Sequence, residues 1–291
     1  MEIATVEVGK GVVIGGELPV LIMGPCVIES PEHTLAIAQR LRDLCARHAL
    51  PLVFKASFDK ANRTSHASYR GPGIAAGLAV LAAVREQTGL PVTTDVHEPH
   101  QVEQAADVVD LLQVPAFLCR QTDLLQACAA SGRATSVKKG QFLAGWDCRP
   151  IVEKFRAAGG RELVLMERGN SFGYNRLVAD LCNLPAMRAL GVPVVFDGTH
   201  SVQSPGGGGD VSLGSGHLAP GLMRAALAMG CEGLFLEVHD DPAAALSDGA
   251  NVIPCDELDG FLGQIRTLHD ALGRPTAHAV DPHTPGTQRQ R

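Results

Sequence analysis

The sequence lacks three features that mark common classes of protein. Its eight cysteines are scattered and contain no Cys-x-x-Cys pair, so they predict reduced thiols rather than a disulfide framework. No apolar stretch reaches membrane-spanning length, and no basic region followed by an apolar run opens the chain. We therefore expect a soluble protein of the cytoplasm that does not interact with membranes.

A basic excess is also missing. The formal net charge is −6 and the isoelectric point is about 6.0, which argues against nucleic acid as a partner. This balance still permits a small basic pocket for an anionic substrate. With 291 residues, 45% of them hydrophobic, the chain is long enough to bury a large core in one domain.

Short apolar segments alternate with amphipathic ones along most of the chain. Eight buried strands are predicted at 20–23, 52–55, 92–94, 111–114, 135–138, 163–166, 194–196 and 234–237, with helices that include 34–48, 74–87, 218–229 and 256–272. This count predicts a (β/α)8 TIM barrel, with an amino-terminal β-hairpin within residues 1–18 closing its bottom. We expect a single catalytic domain over 1–274 and a disordered tail over 275–291.

The segment 194–200 is the most informative stretch. A buried strand ends at Asp197 and is followed by His200 and then by a glycine-rich loop that includes Gly206. Histidines at the carboxyl ends of parallel strands beside flexible loops are typical of α/β active sites. A strand-end histidine that only satisfies local hydrogen bonds is the alternative, and this segment does not decide between the two.

Polar residues follow nearly every predicted strand. In a barrel these positions share one face, where collected cations repel each other unless a multiply charged anion bridges them. The pattern therefore favours phosphorylated substrates, although each residue alone also fits a solvated side chain or a helix cap. The residues are Lys55, Ser57, Lys60, Asn62, Arg63, Asp95, Gln113, Arg120, Lys138, Gln141, Arg168 and His200.

A possible metal site lies among the same strand ends. Cys26, His200 and Glu237 follow strands that are neighbours in a closed barrel, and Asp248 lies in the loop after the last strand. A thiolate, an imidazole and two carboxylates suit a divalent transition ion such as Zn, Fe, Mn or Co. The alternative for Cys26 is a small buried side chain, and His239 is a rival ligand.

Several long motifs occur in a specific order, at 24–30, 54–65, 94–97, 113–117, 137–141, 167–169 and 194–200. In these motifs the chain resembles the 3-deoxy-D-manno-octulosonate 8-phosphate synthase family of lipopolysaccharide biosynthesis. The resemblance implies condensation of phosphoenolpyruvate with D-arabinose 5-phosphate and release of phosphate. A cysteine in the Gly-Pro-Cys motif is similar to the metal-dependent class of that family, whereas the metal-free class has asparagine.

The resemblance also implies roles for individual residues. Phosphoenolpyruvate would be held by Lys55, Ser57, Lys60, Lys138 and Arg168. Asn62 and Arg63 would hold the sugar phosphate, and Arg120 would reach in from a neighbouring subunit of a homotetramer. Gln113 and Gln141 complete the substrate-binding set, while the catalytic set is Lys55, Lys60, Asp95, Lys138 and His200. The base that activates water is left open between Asp95, Glu237 and the metal site.

Three alternatives remain at this point. The seven-carbon synthase that uses erythrose 4-phosphate is similar in layout, but it typically has Lys-Pro-Arg-Thr where this chain has Lys-Ala-Asn-Arg at 60–63. A metal-dependent aldol lyase would leave the lysine set unexplained. A non-catalytic phosphosugar-binding barrel would not need the ligand set. The chain also departs from the family pattern at 216–220, which leaves the conformation of the loop 204–220 open.

Overall fold

A closed barrel of eight parallel strands forms the centre of the protein. The computed structural model describes residues 3–63, 65–207 and 213–274. Neighbouring strands pair in chain order, and the last strand pairs with both the seventh and the first, which closes the barrel. The strands are β1 Val20–Gly24, β2 Leu52–Lys55, β3 Val92–Asp95, β4 Leu111–Val114, β5 Ala134–Lys138, β6 Leu163–Glu167, β7 Val194–Asp197 and β8 Gly233–His239. The predicted (β/α)8 TIM barrel is confirmed.

Helices surround the barrel, and their apolar faces pack on the outer side of the strands. They are α1 Pro31–Arg47, α2 Ile74–Thr88, α3 Pro99–Val108, α4 Thr122–Ala130, α5 Arg149–Ala157, α6 Asn183–Arg188, α7 Ala219–Met229 and α8 Leu258–Leu272. In the part of the chain that the structure describes, none of them has both the length and the apolar character needed to cross a membrane.

Short strands and single helical turns lie within the loops. Two short strand pairs are antiparallel, Asn170–Ser171 with Leu177–Val178 and Gln203–Ser204 with Leu213–Gly214. The short strand Ile253–Pro254 pairs in parallel with the end of β8. A single helical turn, Gly198–Ser201, follows β7, and 3-10 turns lie at Ala116–Leu118, Gly145–Cys148, Gly216–Leu218 and Cys255–Glu257.

Helix α1 begins three residues earlier than the periodicity predicts. The hydroxyl of Ser30 accepts a hydrogen bond from the backbone N–H of His33, and Pro31 occupies the first helical position. A capping serine followed by proline starts a helix even where the apolar periodicity has not begun. Helices α7 and α8 begin later than predicted because a 3-10 turn precedes each of them.

The amino-terminal hairpin pairs Val6–Glu7 with Val13–Ile14. Its buried residues Val6 and Ile14 join a compact apolar cluster with Val20 and Val195, the residues that fill the barrel interior near the start of the strands. The hairpin therefore closes the amino-terminal end of the barrel, as predicted. The predicted tail at 275–291 lies outside the described residues, as do positions 208–212 of the glycine-rich loop.

Candidate active site at the carboxyl end of the barrel

A cavity of about 700 Å³ opens at the carboxyl ends of the strands, a volume typical of small-molecule sites. Most of the predicted site residues line it, namely Lys55, Lys60, Asn62, Arg63, Asp95, Gln113, Lys138, Gln141, Arg168, His200, Glu237 and Asp248. Cys26 and Ser57 are buried just behind this lining. Arg120 is exposed and lies outside the cavity.

The close approach of β1 to β2 sets the first part of the site. A Cβ atom on Gly24 would lie 1.9 Å from the carbonyl oxygen of Lys55, so only glycine fits there. The ammonium group of Lys55 donates to the carbonyl oxygen of Cys26 at 2.8 Å and to Oε1 of Glu237 at 2.5 Å. Lys55 and Glu237 are both buried, and each neutralises the other in surroundings that penalise a lone charge.

Lys60 lies on the same side of the cavity, with Nζ 3.7 Å from Oε1 of Glu237. Burial alone would lower the pKa of Lys60. The charge of Cys26 once its thiol is ionised, with those of Glu237, Asp95 and Asp248, outweighs that effect and holds the pKa well above its usual value. Burial opposes the ionised form of Glu237 as well, but the surrounding lysines and His200 keep the pKa of this carboxyl well below normal. This side of the cavity therefore carries an excess of anionic groups.

Cys26, Glu237 and Asp248 each bring one possible ligand atom to within 4.8 Å of the other two. The thiol of Cys26 lies 2.8 Å from the hydroxyl of Ser247 and 3.4 Å from Oδ2 of Asp248. Burial and the neighbouring Glu237 raise the pKa of this thiol, so it stays protonated at neutral pH in the protein alone. A metal ion binding here would displace that proton.

His200 lies beside this group rather than within it. Its Nε2 is 3.6 Å from Oε2 of Glu237, and its Nδ1 is 2.9 Å from Oδ2 of Asp197. Asp197 also caps the short helical turn by accepting the backbone N–H of His200. A carboxylate that holds one ring nitrogen and leaves the other facing the site is the usual support of a metal-binding histidine. The donor set of Cys26, Glu237, Asp248 and His200 therefore fits a divalent transition ion.

His239, the rival ligand, faces away from this group. Its Nε2 lies 3.3 Å from Oε1 of Glu29, in a separate cluster outside the cavity.

The opposite side of the cavity is cationic. Nζ of Lys138 donates to Oδ2 of Asp197 at 2.6 Å and lies 3.8 Å from the centre of the Phe235 ring. Burial lowers the pKa of Lys138 in spite of Asp197, and burial also lowers the pKa of Arg168. For these two cations the cost of burial exceeds the attraction of the nearby carboxylates, in contrast to Lys60.

Unpartnered buried polar atoms surround the cavity. Nη2 of Arg168 donates to Gln203 at 3.2 Å, whereas its Nη1 is buried and makes no hydrogen bond within the described protein. Buried polar groups are normally paired, so such a concentration indicates a surface shaped for a polar ligand. Four further side-chain atoms are also buried and make no hydrogen bond within the described residues, namely Ser57 Oγ, Asp95 Oδ1, Gln113 Oε1 and Gln141 Oε1.

Arg63 is held at the rim by backbone carbonyl groups. Its guanidinium donates to the oxygens of Tyr69 at 2.9 Å and Leu246 at 3.3 Å. In the described ranges no carboxylate forms an ion pair with it, so its charge is available to an anion.

The structure corrects the argument that the strand-end cations repel one another. Buried carboxylates already pair with three of them, since Glu237 contacts Lys55 and Lys60 and Asp197 contacts Lys138. Among the described residues no carboxylate forms an ion pair with Arg168 or Arg63, so the attraction for an anion is concentrated at these two residues instead of being shared by the whole set.

Sequence reasoning missed three residues of the site and the role of a fourth, Asp197. Gln203 bridges Arg168 and Asp248, Ser247 contacts Cys26, and Asp197 holds both Lys138 and His200. His97 lines the cavity and contacts Asp95 at 3.0 Å. Asp197 and His97 lie within the quoted motifs and just after predicted strands, so position alone was a usable signal for both. Gln203 and Ser247 lie in loops and carry no such signal.

A comparison with known families agrees with this geometry. The model of the DAHP synthetase I family matches residues 3–273. The chain belongs to this family. Relatives within it include the 2-dehydro-3-deoxyphosphooctonate aldolase of Trichlorobacter lovleyi, which is 53% identical over 94% of this chain and 98% of its own length. The proteins of the same name from Geobacter metallireducens and Cyanothece sp. are 53% and 52% identical, each over 92% of this chain and 99% and 98% of their own lengths.

These relatives carry the eight-carbon name, so the resemblance drawn from the motifs is confirmed. The seven-carbon alternative finds no support among them.

Proposed function

We propose that the chain condenses phosphoenolpyruvate with D-arabinose 5-phosphate and water to give 3-deoxy-D-manno-octulosonate 8-phosphate and inorganic phosphate. The observation that carries the proposal is one cavity that brings Lys138 and Arg168, with its unpartnered Nη1, together with a metal donor set. The names of the close relatives support the same reaction.

Phosphoenolpyruvate would bind on the cationic side. Its phosphate and carboxylate match the unpartnered Nη1 of Arg168 and the ammonium of Lys138, with Ser57, Gln113 and Gln141 as further hydrogen-bonding groups. Lys55 and Lys60 would lie beyond the enol carbon and keep Glu237 ionised. The phosphohemiketal that forms when water adds is an anion. Positive charges fixed in a buried cavity stabilise this anion more than the same charges would in water.

The sugar phosphate would bind at the rim through Asn62 and Arg63, which places its aldehyde toward the anionic side. The carbon–carbon bond forms between the enol carbon and the aldehyde carbon. Water adds to the neighbouring carbon, and the carbon–oxygen bond to phosphate then breaks. Asp95 lines the cavity and contacts His97 at 3.0 Å, and it and Glu237 are the protein groups in reach of the attacking water in this proposal. Binding both anions in one cavity offsets their mutual repulsion and the translational and rotational entropy that they lose.

The cofactor in this proposal is one divalent ion, Zn, Fe, Mn or Co, held by Cys26, His200, Glu237 and Asp248. Such an ion would act as a Lewis acid or orienting template for the aldehyde. Asp197 would fix the ring of His200, and Ser247 would fix the thiol of Cys26. The donor types accept several metals.

We propose a homotetramer in which Arg120 completes the cavity of a neighbouring subunit. Arg120 is exposed and outside the cavity of its own chain, and Phe117 beside it is 56% exposed. The described residues act as one catalytic domain in this proposal. All eight cysteines are unpaired, which supports a reducing compartment, the cytoplasm, as the place of lipopolysaccharide precursor synthesis.

The test measures phosphate release from phosphoenolpyruvate with arabinose 5-phosphate, before and after chelation and after divalent metals are restored. We expect turnover to be lost on chelation and recovered with metal. Cys26→Ala should lose turnover, whereas Cys182→Ala is the matched control because Cys182 is an exposed thiol outside the site. Turnover that survives prolonged chelation would remove the metal from the proposal, and absence of phosphate release would remove the reaction.

A further inference from the structure

A second group of possible metal ligands lies outside the catalytic cavity. Glu29, His33 and His239 each bring one ligand atom to within 4.8 Å of the other two. Glu29 precedes α1, His33 lies in its first turn, and His239 is the last residue of β8. The group therefore joins the loop after β1 to the end of β8, and the proposed reaction does not use it.

Asp240 orients both imidazole rings. Its Oδ1 lies 2.7 Å from Nε2 of His33 and 3.2 Å from Nδ1 of His239. Metal-binding histidines commonly donate their second ring N–H to a carboxylate, which leaves the other nitrogen as the ligand. The backbone N–H of Asp241 also lies 3.0 Å from Nδ1 of His239. Because this N–H donates to Nδ1, the proton of the neutral ring is on Nε2, which faces Glu29. Metal binding would break this hydrogen bond and turn the ring to the tautomer whose Nδ1–H donates to Asp240.

The two nitrogens left over are buried and unpartnered. Nδ1 of His33 and Nε2 of His239 make no hydrogen bond within the described protein. His239 is only 5% exposed, and its Nε2 lies 3.3 Å from Oε1 of Glu29. Unsatisfied buried polar atoms are rare in proteins. A cation between these atoms would coordinate the lone pair of His33 Nδ1, the carboxylate of Glu29 and, once its proton moves to Nδ1, Nε2 of His239.

We propose that Glu29, His33 and His239 bind a second divalent ion, with Asp240 as the outer carboxylate that orients the two histidines. Two imidazoles and a carboxylate without a thiolate suit Zn²⁺. Glu29 also accepts the backbone N–H of Leu246 at 2.8 Å. Leu246 precedes Ser247 and Asp248, so an ion at this site stabilises the loop that carries the catalytic Asp248.

The experiment uses Cys26→Ala protein, in which the catalytic donor set is disabled. The protein is dialysed against Zn²⁺, and bound zinc is measured by elemental analysis. We expect one zinc ion per chain in this variant and none after the additional change His33→Ala. The matched control adds His100→Ala instead, because His100 is an exposed histidine on α3 with a side chain 69% exposed, and this protein should keep its zinc.

Zinc should also raise the unfolding temperature of Cys26→Ala protein, since a ligand that binds only the folded state stabilises it. The effect should disappear in the variant that also carries His33→Gln, which keeps a polar side chain and the backbone N–H that Ser30 caps. Folded Cys26→Ala protein without zinc, or zinc that persists after both His33→Ala and His239→Ala, would overturn the proposal.

The readout is zinc content, so it is independent of turnover. Zinc that depends on His33 in Cys26→Ala protein, together with no phosphate release by the unmodified protein, would support the second site and refute the proposed reaction. Phosphate release by the unmodified protein together with absence of zinc in folded Cys26→Ala protein would support the proposed reaction and refute the second site.

Discussion

The two sides of the catalytic cavity hold similar lysines in opposite electrostatic surroundings. On one side, Lys60 is surrounded by Glu237, Asp95 and Asp248, and these charges raise its pKa in spite of burial. On the other side, burial lowers the pKa of Lys138 even though Asp197 contacts it at 2.6 Å. The first side has an excess of negative charge, which attracts a metal cation. The second side has Arg168 with an unpartnered buried Nη1, a cationic group still available to a substrate anion.

The difference shows that a list of strand-end lysines does not define a phosphate site. The carboxylates that face each lysine decide whether its charge is already neutralised or still available. These carboxylates come from other strands, and only the closed barrel brings them into contact.

The largest expected effect comes from the cationic side. Lys138→Met removes the charge that faces phosphoenolpyruvate, and we expect kcat/KM to fall on the order of 10³-fold, as when a preorganised electrostatic group is removed. The KM for phosphoenolpyruvate should rise more than the KM for arabinose 5-phosphate. Steady-state phosphate release with each substrate varied in turn measures both values.

Lys10→Met is the control for this change, because Lys10 is a lysine of the amino-terminal hairpin, outside the cavity lining, whose ammonium donates to the backbone oxygen of Arg85. Its kcat/KM should match that of the unmodified protein. An equal loss in both variants, or a Lys138→Met protein with full activity, would contradict the assignment of the cationic side.

The next effect is on stability and concerns the anionic side. Glu237→Gln leaves the buried Lys55 and the partly buried Lys60 without their shared carboxylate, and we expect a loss of about 3 kcal/mol in the free energy of unfolding. Asp248→Asn is the matched change, because Asp248 has a φ of 50° that asparagine tolerates, and its carboxylate is not the main partner of either lysine.

Urea unfolding of the metal-free proteins measures both changes. Asp248→Asn should stay close to the unmodified protein. Equal stability of all three proteins would mean that Glu237 does not neutralise the two lysines.

The smallest effect is a pH dependence at His97. Burial disfavours the charged ring, but the hydrogen bond and charge of Asp95 outweigh it and raise the pKa of His97. A histidine pKa raised by folding adds stability that is fully present below its unfolded value of about 6.5 and is lost as pH rises through the folded value.

We therefore expect His97→Asn to destabilise the protein by about 1 kcal/mol near pH 5.5, with a smaller difference near pH 8.5. Urea midpoints of both proteins at the two pH values measure this change. A difference that grows with pH would show that the sign is wrong.

Much of the fold was predictable because it depends on local patterns. The apolar segments such as 52–55 and 111–114 match β2 and β4 at both ends, and the order of strands places the polar residues on one face. The starts of α1, α7 and α8 were missed because capping and 3-10 turns set them, and apolar periodicity does not report either.

The site was predictable as a set of residues but not as a set of contacts. The sequence placed Lys138, Lys55 and Lys60 near one cavity, yet it could not show that Asp197 pairs with the first and Glu237 with the other two. It also could not show that Asp197 holds His200 outside the tight group around Cys26. Pairings across strands distant in sequence depend on three-dimensional distance, which no local pattern contains.

The most direct test of the central claim is a comparison of two aldose phosphates in the same assay. Phosphate release from phosphoenolpyruvate is measured in saturating divalent metal with arabinose 5-phosphate and, separately, with erythrose 4-phosphate. We expect kcat/KM for arabinose 5-phosphate to be larger by at least about 10²-fold, since hydroxyl-reading sites discriminate strongly between such substrates. Equal or greater turnover with erythrose 4-phosphate would contradict the assignment of Asn62 and Arg63 and, with it, the proposed reaction.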